Sequence, residues 1–421
     1  MTPASARVAF GYPSFRFFMT ARFLVVISTE MQAVAVGWQI YRLTHRPLDL
    51  GLVGLAQFLP GVLLFLLAGH AADRFPRRLI LQTCWAGFAG CSLALLSLTL
   101  HGLSATWPVY LVLLANGAVR VFNAPAGQSL LPTLVPPEHF PNAVAWNASV
   151  FTSATILGPM AGGLLYGFTG SPAPVYAAAV VAYAVALALV SFIRIAAPQG
   201  PRRAASLSTV LEGLRYIGRN QLLLGAISLD LFAVLLGGAV ALLPVYAQDI
   251  LKVGAKGLGL LRAGPGLGAM VMAMVVAHYP IRRRAGAAML WCVCGFGVCT
   301  VVFGVSRNLL LSLVALALVG ACDMVSVIVR QTMIQLSTPD AMRGRVSAAN
   351  MVFVGASNEV GQFESGITAQ WFGAVPSVVL GGLGAILVVA LWSRIFPALG
   401  RVDRLTPELT LPAETPSRAA D

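Results

Sequence analysis

Residues 67–80 read LAGHAADRFPRRLI, a short charged turn set between two apolar runs. The turn holds Asp73, Arg74, Arg77 and Arg78, yet the whole chain of 421 residues is 58% hydrophobic and only 10% charged. A soluble protein carries about 25% charged residues. Because a soluble core of this size could not bury so much apolar surface, the solvent of this chain must be lipid. Continuous apolar runs of about 20 residues indicate membrane helices rather than the alternating strands of a barrel.

Twelve apolar segments follow one another along the chain, and each is long enough to cross a bilayer as a helix. The first begins among arginines and is too long for a signal peptide, so we interpret it as an uncleaved span. The eleventh is unusually polar. The predicted spans are 15–42, 48–72, 79–100, 107–133, 142–168, 173–194, 220–248, 257–279, 285–305, 308–335, 347–371 and 375–396.

The basic residues predict the orientation of these spans. Thirteen arginines fall in the loops on the side of the N-terminus, against six basic residues on the other side. Because basic loop residues stay in the cytoplasm, both termini are expected there, and the chain is expected to be a multi-pass protein of a bacterial inner membrane. The net charge of +13 is explained by these loops and does not indicate a nucleic-acid partner.

The longest internal connection, 195–219, divides the spans into six and six. It begins rich in Pro and Gly and continues with apolar residues at helical spacing, which predicts an amphipathic helix on the membrane surface. The predicted organisation is an N-terminal six-helix bundle (1–194), a cytoplasmic linker with a surface helix (195–219), a C-terminal six-helix bundle (220–398) and a disordered cytoplasmic tail (399–421).

The two halves resemble each other at offsets of 200 to 206 residues. Each match is weak, but the matches keep their order, and parallel six-helix halves are typical of transporters. The matching pairs are 77–85 with 283–291, 134–138 with 336–340, and Glu30 and Gly37 with Asp230 and Gly237.

The charged turn also carries a family signature. Residues 69–78, GHAADRFPRR, resemble the Gly-x-x-x-Asp-Arg-x-x-Arg-Arg motif of the major facilitator superfamily, in the turn where that family has it. The resemblance implies an all-α fold of twelve transmembrane helices in two pseudo-symmetric six-helix bundles. It also implies a latch between the halves in the outward-facing state. There Gly69 allows close packing, Asp73 meets the N-terminus of span 11 near Ser347, and the three arginines pair with carbonyls or with Glu138. An ordinary basic cytoplasmic turn is the alternative.

A second motif lies in span 5, where residues 158–163 read GPMAGG. It resembles the Gly-Pro-x-x-Gly-Gly motif of the superfamily's antiporters, made here by Gly158, Pro159, Gly162 and Gly163. The resemblance implies antiport, although close helix packing alone would also explain the glycines.

Two further stretches, 123–147 and 356–366, resemble the branch of the superfamily that contains the enterobactin exporter and many bacterial efflux proteins. The substrate does not transfer with that resemblance.

Several charged residues fall inside the predicted spans, and seven of them are candidates for function. Each charge near the centre of a bilayer costs about 2.5–3.5 kcal/mol on insertion scales, so such residues line a cavity, form pairs or change protonation. The acids are Glu30, Asp230, Asp323, Glu359 and Glu364, and the bases are Arg120 and Arg330.

Glu30 and Asp230 are the first candidates for proton coupling because spans 1 and 7 line the cavity of the family fold. Each is interpreted as a proton carrier or cation site, or else as a buried acid held by an arginine or hydroxyl. Asp323 and Arg330 are two helical turns apart on span 10, so each needs another partner. Glu359 and Glu364 lie about 140° apart around span 11, so one is expected to face the cavity and the other a helix interface.

Five aromatic residues near these acids would suit a hydrophobic or amphipathic substrate, although simple packing is the alternative. They are Trp38, Tyr41, Phe58, Phe232 and Phe363.

Together these features predict a secondary active transporter that exports a small amphipathic compound, drug-like or siderophore, by proton antiport and alternating access. Its expected partners are the substrate, protons and the lipid bilayer, and it is expected to be monomeric. The sequence has no phosphate-binding loop and no metal-ligand cluster, and its six cysteines all lie in apolar segments, so no enzyme activity, metal or cofactor is expected. Uptake or facilitated transport of a solute or lipid is one alternative, and a non-transporting membrane sensor or scaffold is another.

Overall fold

The computed structural model describes residues 5–103, 105–193, 207–281 and 283–403, which form helices and short connections without a strand. Proline in the first turn begins many of the long helices, where its missing N–H costs nothing. The N-terminal half contains α1 (Pro13–Thr44), α2 (Pro47–Arg74), α3 (Arg77–Leu100), α4 (Trp107–Leu130), α5 (Phe140–Thr169) and α6 (Ala173–Ser191).

The C-terminal half begins after a separate helix, α7 (Leu207–Arg219). Its first span is interrupted, because α8 (Gln221–Leu236) ends at the Gly237–Gly238 pair and continues as a 3₁₀ turn, α9 (Leu243–Val245) and a π-helical turn (Tyr246–Ile250). The remaining helices are α10 (Gly254–His278), α11 (Ala285–Val305), α12 (Leu309–Leu336), α13 (Asp340–Phe372), α14 (Ala374–Ile395) and the short α15 (Pro397–Gly400).

Eleven helical stretches of the described chain are long and apolar enough to cross a membrane. Among the long helices, α13 is outside that set. It has 33 residues, which is long enough for a span, and it corresponds to the polar eleventh predicted segment. It begins at Asp340 rather than at 347, because hydropathy does not detect a polar helical turn that extends beyond the apolar run. The predicted all-α membrane fold is confirmed.

The helices pack in the same pattern in both halves. In the first half α1 packs on α5 and α6, while α3 packs on α4 and α6, and α2 on α4. In the second half α8 packs on α13 and α14, while α11 packs on α12 and α14, and α10 on α12. The halves meet through two helix pairs, α2 with α13 and α5 with α10. The domain boundaries stay a prediction, and residue 194 of the first bundle, residues 195–206 of the linker and residues 404–421 of the tail lie outside the described part.

The two halves share a hydrophobic core at one end of the molecule only. Trp38, Tyr41 and Tyr166 of the first half pack there in one cluster with Tyr246 and Leu258 of the second. The other buried clusters each belong to a single half. We call the shared end the closed end and the opposite one, which carries the 67–80 turn, the open end.

Side chains toward the open end are exposed even on the helices that join the halves. Val144 and Phe151 of α5 and Met351 and Val352 of α13 are all exposed there. The space between the halves therefore opens toward the open end.

The helix α7 rests against α13. Glu212 pairs with Arg345 at 2.6 Å, the Tyr216 hydroxyl donates to the Ser337 carbonyl at 3.0 Å, and Ile217 is buried. A helix is thus present where the sequence predicts the surface helix, and part of its apolar face is covered by protein.

Candidate functional site

An ion pair between described residues joins the two halves at mid-span. Arg120 of α4 lies 3.2 Å from Glu359 of α13 (Nη1 to Oε1). Gln362, one turn further along α13, donates to the other carboxylate oxygen of Glu359 at 3.3 Å. The Arg120 side chain is 58% exposed and that of Glu359 only 15%. The pair therefore links the halves while its guanidinium remains accessible.

A small polar cavity lies beside this pair, toward the closed end. Both halves line it, with Gln32, Gln57 and Asn116 from the first and Arg262 and Gln362 from the second. Its volume is about 80 Å³. That is room for about two or three waters, whereas a drug-sized ligand needs about 300 Å³ or more. A substrate of that size must therefore bind on the open side of the cavity.

The wall of the cavity in the first half is a hydrogen-bonded network. Gln32 donates to the Tyr183 hydroxyl at 3.1 Å and accepts from Ser92 at 2.9 Å, and Thr29 lies 2.9 Å from the same hydroxyl. Because each polar group is satisfied, the network can stay buried and rigid. The sequence analysis missed these residues, which appear in the sequence only as isolated polar residues in apolar helices.

Glu30 lies where α1 crosses α5. A Cβ added at Gly158 would touch the Cβ of Glu30 and lie 2.9 Å from the Ile27 carbonyl, so the antiporter motif packs directly on this acid. Glu30 is half-buried, and within the described chain it has no hydrogen bond or ion pair. Arg22, about two turns earlier on α1, lies over the Phe151 ring, 5.9 Å from the centroid.

Asp230 lies in a different setting, inside the C-terminal half. It forms an ion pair with Arg330 of α12, and the two side chains are 8% and 3% exposed. Asp323 and Ser326 border the same small gap of about 10 Å³. Arg330 has thus found another partner than Asp323, and Asp230 is the buried, arginine-held acid of the second interpretation.

The structure places Glu30 and Asp230 in different surroundings, and their equivalence stays a prediction. A Cβ on Gly37 would meet Pro244 of the other half, whereas a Cβ on the matched Gly237 would meet Phe296 of its own half. The matched residues therefore point in different directions. Each residue of error in alignment rotates a helical position by about 100°, so a weak repeat cannot fix which face a residue occupies.

Glu359 and Glu364 face different surroundings. Glu359 crosses to Arg120, while Glu364 accepts a hydrogen bond from the adjacent Ser365 at 3.5 Å. Of the two acids, Glu359 is thus the one between the halves.

The five aromatic candidates do not line the small cavity. Trp38 and Tyr41 lie in the closed-end core, where Tyr41 bonds to Asp249 of the other half. Phe232 packs on Trp392 with ring centroids 5.2 Å apart, and the backbone of Phe363 faces Gly51. Phe58 is half-buried on α2. Their role in substrate binding stays a prediction, because a substrate is expected on the open side of this cavity.

The turn at 67–80 is anchored differently from the prediction. Arg78 donates to the Ser191 carbonyl and, at 3.1 Å, to that of Ile193, at the end of α6. Glu138 is exposed and has no ion pair within the described chain. Ser347 is not at the N-terminus of span 11, because α13 begins two turns earlier. The side chain of Asp73 lies outside the described part.

The glycines of the antiporter motif serve two interfaces. Gly162 packs on Met31 of α1, within the first half, while Gly163 packs on α10 of the second half. A Cβ added at Gly163 would lie 2.6 Å from the Ala255 carbonyl and 2.7 Å from the Gly259 Cα. The motif therefore sets the distance between the halves near the closed end, as Gly51 and Gly366 do between α2 and α13. The sequence analysis did not single out Gly259, Gly51 or Gly366.

Comparisons with known proteins agree with this geometry. A family described as transmembrane secretion effector matches residues 4–415. The enterobactin exporter EntS of Shigella boydii is 30% identical over 407 residues, and that of Escherichia coli 29%, each match covering 95% of both chains.

Solved structures share the fold. A bacterial homologue of the human lysosomal transporter Spinster, in an inward-facing and unoccupied conformation, aligns with a TM-score of 0.71 at 14% identity, over 95% of this chain and 99% of its own. The nucleoside transporter NupG aligns with a TM-score of 0.67 at 13% identity, over 91% and 99%.

Proposed function

The chain belongs to the transmembrane secretion effector family of the major facilitator superfamily, and from that premise we propose that it exports a small amphipathic compound by proton antiport. It is a multi-pass membrane transporter and not an enzyme. The observation that supports alternating access is the asymmetry of the interface, with one shared core at the closed end and separate cores toward the open end. If the N-terminus is cytoplasmic, as the basic loops predict, a substrate enters from the cytoplasm.

The proposed substrate is a siderophore or a drug-like molecule. The likeness to the enterobactin exporter over 95% of the chain supports export and the siderophore class. The antiporter motif supports exchange against a second species, and a proton is the species that an acid such as Glu30 can carry.

Glu30 is the proposed proton site because its carboxylate lacks a fixed partner. In the outward-open state it takes a proton, and in the inward-open state it releases one. This cycle requires only that the two states differ in their affinity for proton and substrate. Asp230 is a weaker candidate, since its charge is already balanced by Arg330.

The test is efflux from proteoliposomes driven by an imposed proton gradient, with enterobactin and a cationic dye as probes. We expect Glu30→Gln to abolish gradient-driven export while gradient-independent exchange continues in part. Glu364→Gln, which removes an acid that makes no described ion pair, is the control and should export normally. Wild-type export by Glu30→Gln would move the proton site to another acid. Transport that ignores the gradient would favour facilitated transport, and no transport of either probe would favour a sensor or scaffold.

A further inference from the structure

We propose that the substrate carries an anionic group that replaces Glu359 on Arg120 when the substrate binds from the open end. This inference rests on the proposed function, since it assigns a chemical class to the exported compound. It is carried by the geometry of the ion pair between the halves rather than by the acids alone.

The first observation is that Arg120 has unused hydrogen-bonding capacity. A guanidinium has five N–H donors, and within the described chain Arg120 makes one hydrogen bond, from Nη1 to Glu359. The side chain is 58% exposed although it lies mid-span. Its remaining donors therefore face the space that a substrate would enter, and they match the paired oxygens of a carboxylate or phosphate.

The second observation is the excess of positive charge around Glu359. Arg262 of α10 lines the adjacent cavity and is close enough to act electrostatically on Glu359. Arg22 of α1 lies over the Phe151 ring toward the open end. In this space Arg120 and Arg262 flank Glu359, and Arg22 lies further toward the open end. An organic anion entering it gains a partner, whereas a cation meets net repulsion.

The third observation links binding to movement. The Arg120–Glu359 pair joins α4 of one half to α13 of the other, and Gln362 can hold the released carboxylate because it already donates to Glu359. An anion on Arg120 would therefore break the mid-span connection between the halves. The substrate-bound and substrate-free states then differ in the Arg120–Glu359 contact. Coupling of substrate binding to conformation requires such a difference between the two states.

The experiment measures binding of three pyrene probes to the purified full chain by tryptophan quenching. Pyrenebutyrate carries a carboxylate, its butyramide analogue is neutral, and its trimethylammonium analogue is cationic. We expect the carboxylate to bind about tenfold more tightly than the amide, which is the size of one charge-assisted hydrogen bond, and the cation to bind more weakly than either.

Two variants make opposite predictions. Arg120→Gln should remove the advantage of the carboxylate, whereas Glu359→Gln should increase carboxylate affinity several-fold, because it removes the competing anion. Loss of the fold cannot raise the affinity for the carboxylate over that for the amide. The Glu359→Gln result therefore remains informative even if Arg120→Gln is unstable. Arg215→Gln, which removes an exposed arginine of α7, is the control and should bind like the wild type.

Preference for the cation, or a loss of carboxylate affinity in Glu359→Gln, would overturn the inference. Such a result would leave the proposed function intact if the proteoliposomes still export the cationic dye in a gradient- and Glu30-dependent way. Conversely, the expected binding pattern without gradient-driven transport would support the anion site and refute proton antiport.

Discussion

At the scale of single residues, the two mid-membrane ion pairs differ in what surrounds them. Asp230 and Arg330 are enclosed within one half, whereas Arg120 and Glu359 join two halves and stay accessible. Breaking a buried pair leaves an uncompensated charge and costs about 3–5 kcal/mol, while an accessible pair contributes far less. We therefore assign the first pair to stability and the second to function.

This assignment predicts a large effect of Asp230→Asn on folding. The variant should unfold at a clearly lower temperature, because Arg330 then stays buried without a counter-charge. The double variant Asp230→Asn with Arg330→Met should regain much of the loss, since it removes both charges. Thermal unfolding in detergent measures all three, with Glu359→Gln as the matched acid control. A stable Asp230→Asn that has lost proton coupling would instead return Asp230 to the list of proton sites.

At the residue level, helix geometry alone predicts the different surroundings of Glu359 and Glu364, which are five residues apart on one helix. It also leaves room for Arg330 to pair with a residue other than Asp323, as it does with Asp230. The match of Glu30 with Asp230 depends on the alignment of weak repeats and stays a prediction. The pairing of Asp230 with Arg330 joins two helices that are distant in sequence, and no local pattern encodes it.

At the scale of helices, glycines decide how closely the halves approach. We expect Gly163→Ala to weaken the closed end, because its Cβ would lie within 2.7 Å of α10 backbone atoms in the present packing. In this variant, spin labels on Arg46→Cys and Lys252→Cys, which are exposed at that end, should be farther apart than in the wild type. Transport should also be lower. Gly90→Ala on α3 is the control, since a Cβ there meets nothing within 4 Å. Unchanged distances in Gly163→Ala would show that the contact does not control closure.

The 67–80 turn is a second device at this scale, and it acts in the opposite state. The open end is apart here, so a latch between Asp73 and the N-terminus of α13 would form only when that end closes. We predict that Asp73→Asn lowers transport but not membrane insertion, through the loss of about 0.3–1 kcal/mol of helix-dipole stabilisation, or about 2 if the site is partly buried. Transport assays with insertion checked by membrane fractionation measure this. Unchanged transport by a correctly inserted Asp73→Asn would argue against the latch.

Sequence patterns predicted the helices well because lipid imposes a length and an apolar composition on each span. They placed the start of α13 too late in the sequence, and they did not predict the interruption after α8. Both features depend on polar or packed surroundings that hydropathy does not measure.

At the scale of the whole molecule, orientation decides between export and uptake. The fold alone is shared with a homologue of a lysosomal transporter and with a nucleoside transporter, so it cannot give the direction of transport. The open end carries the basic turn, and the positive-inside rule predicts that this end lies in the cytoplasm. In this orientation the accessible Arg120 faces cytoplasmic compounds, as an exporter needs.

This orientation can be tested by cysteine labelling in intact cells, in a background whose six native cysteines are replaced. Arg46→Cys at the closed end should react with a membrane-impermeant maleimide from outside. Arg215→Cys on α7 should react only after the cells are permeabilised, because α7 lies on the side of the open end. The reverse pattern would place the accessible arginine outside. The Arg120–Glu359 pair would then be accessible to substrate from outside the cell. In that case uptake, rather than export, would be the function consistent with the structure.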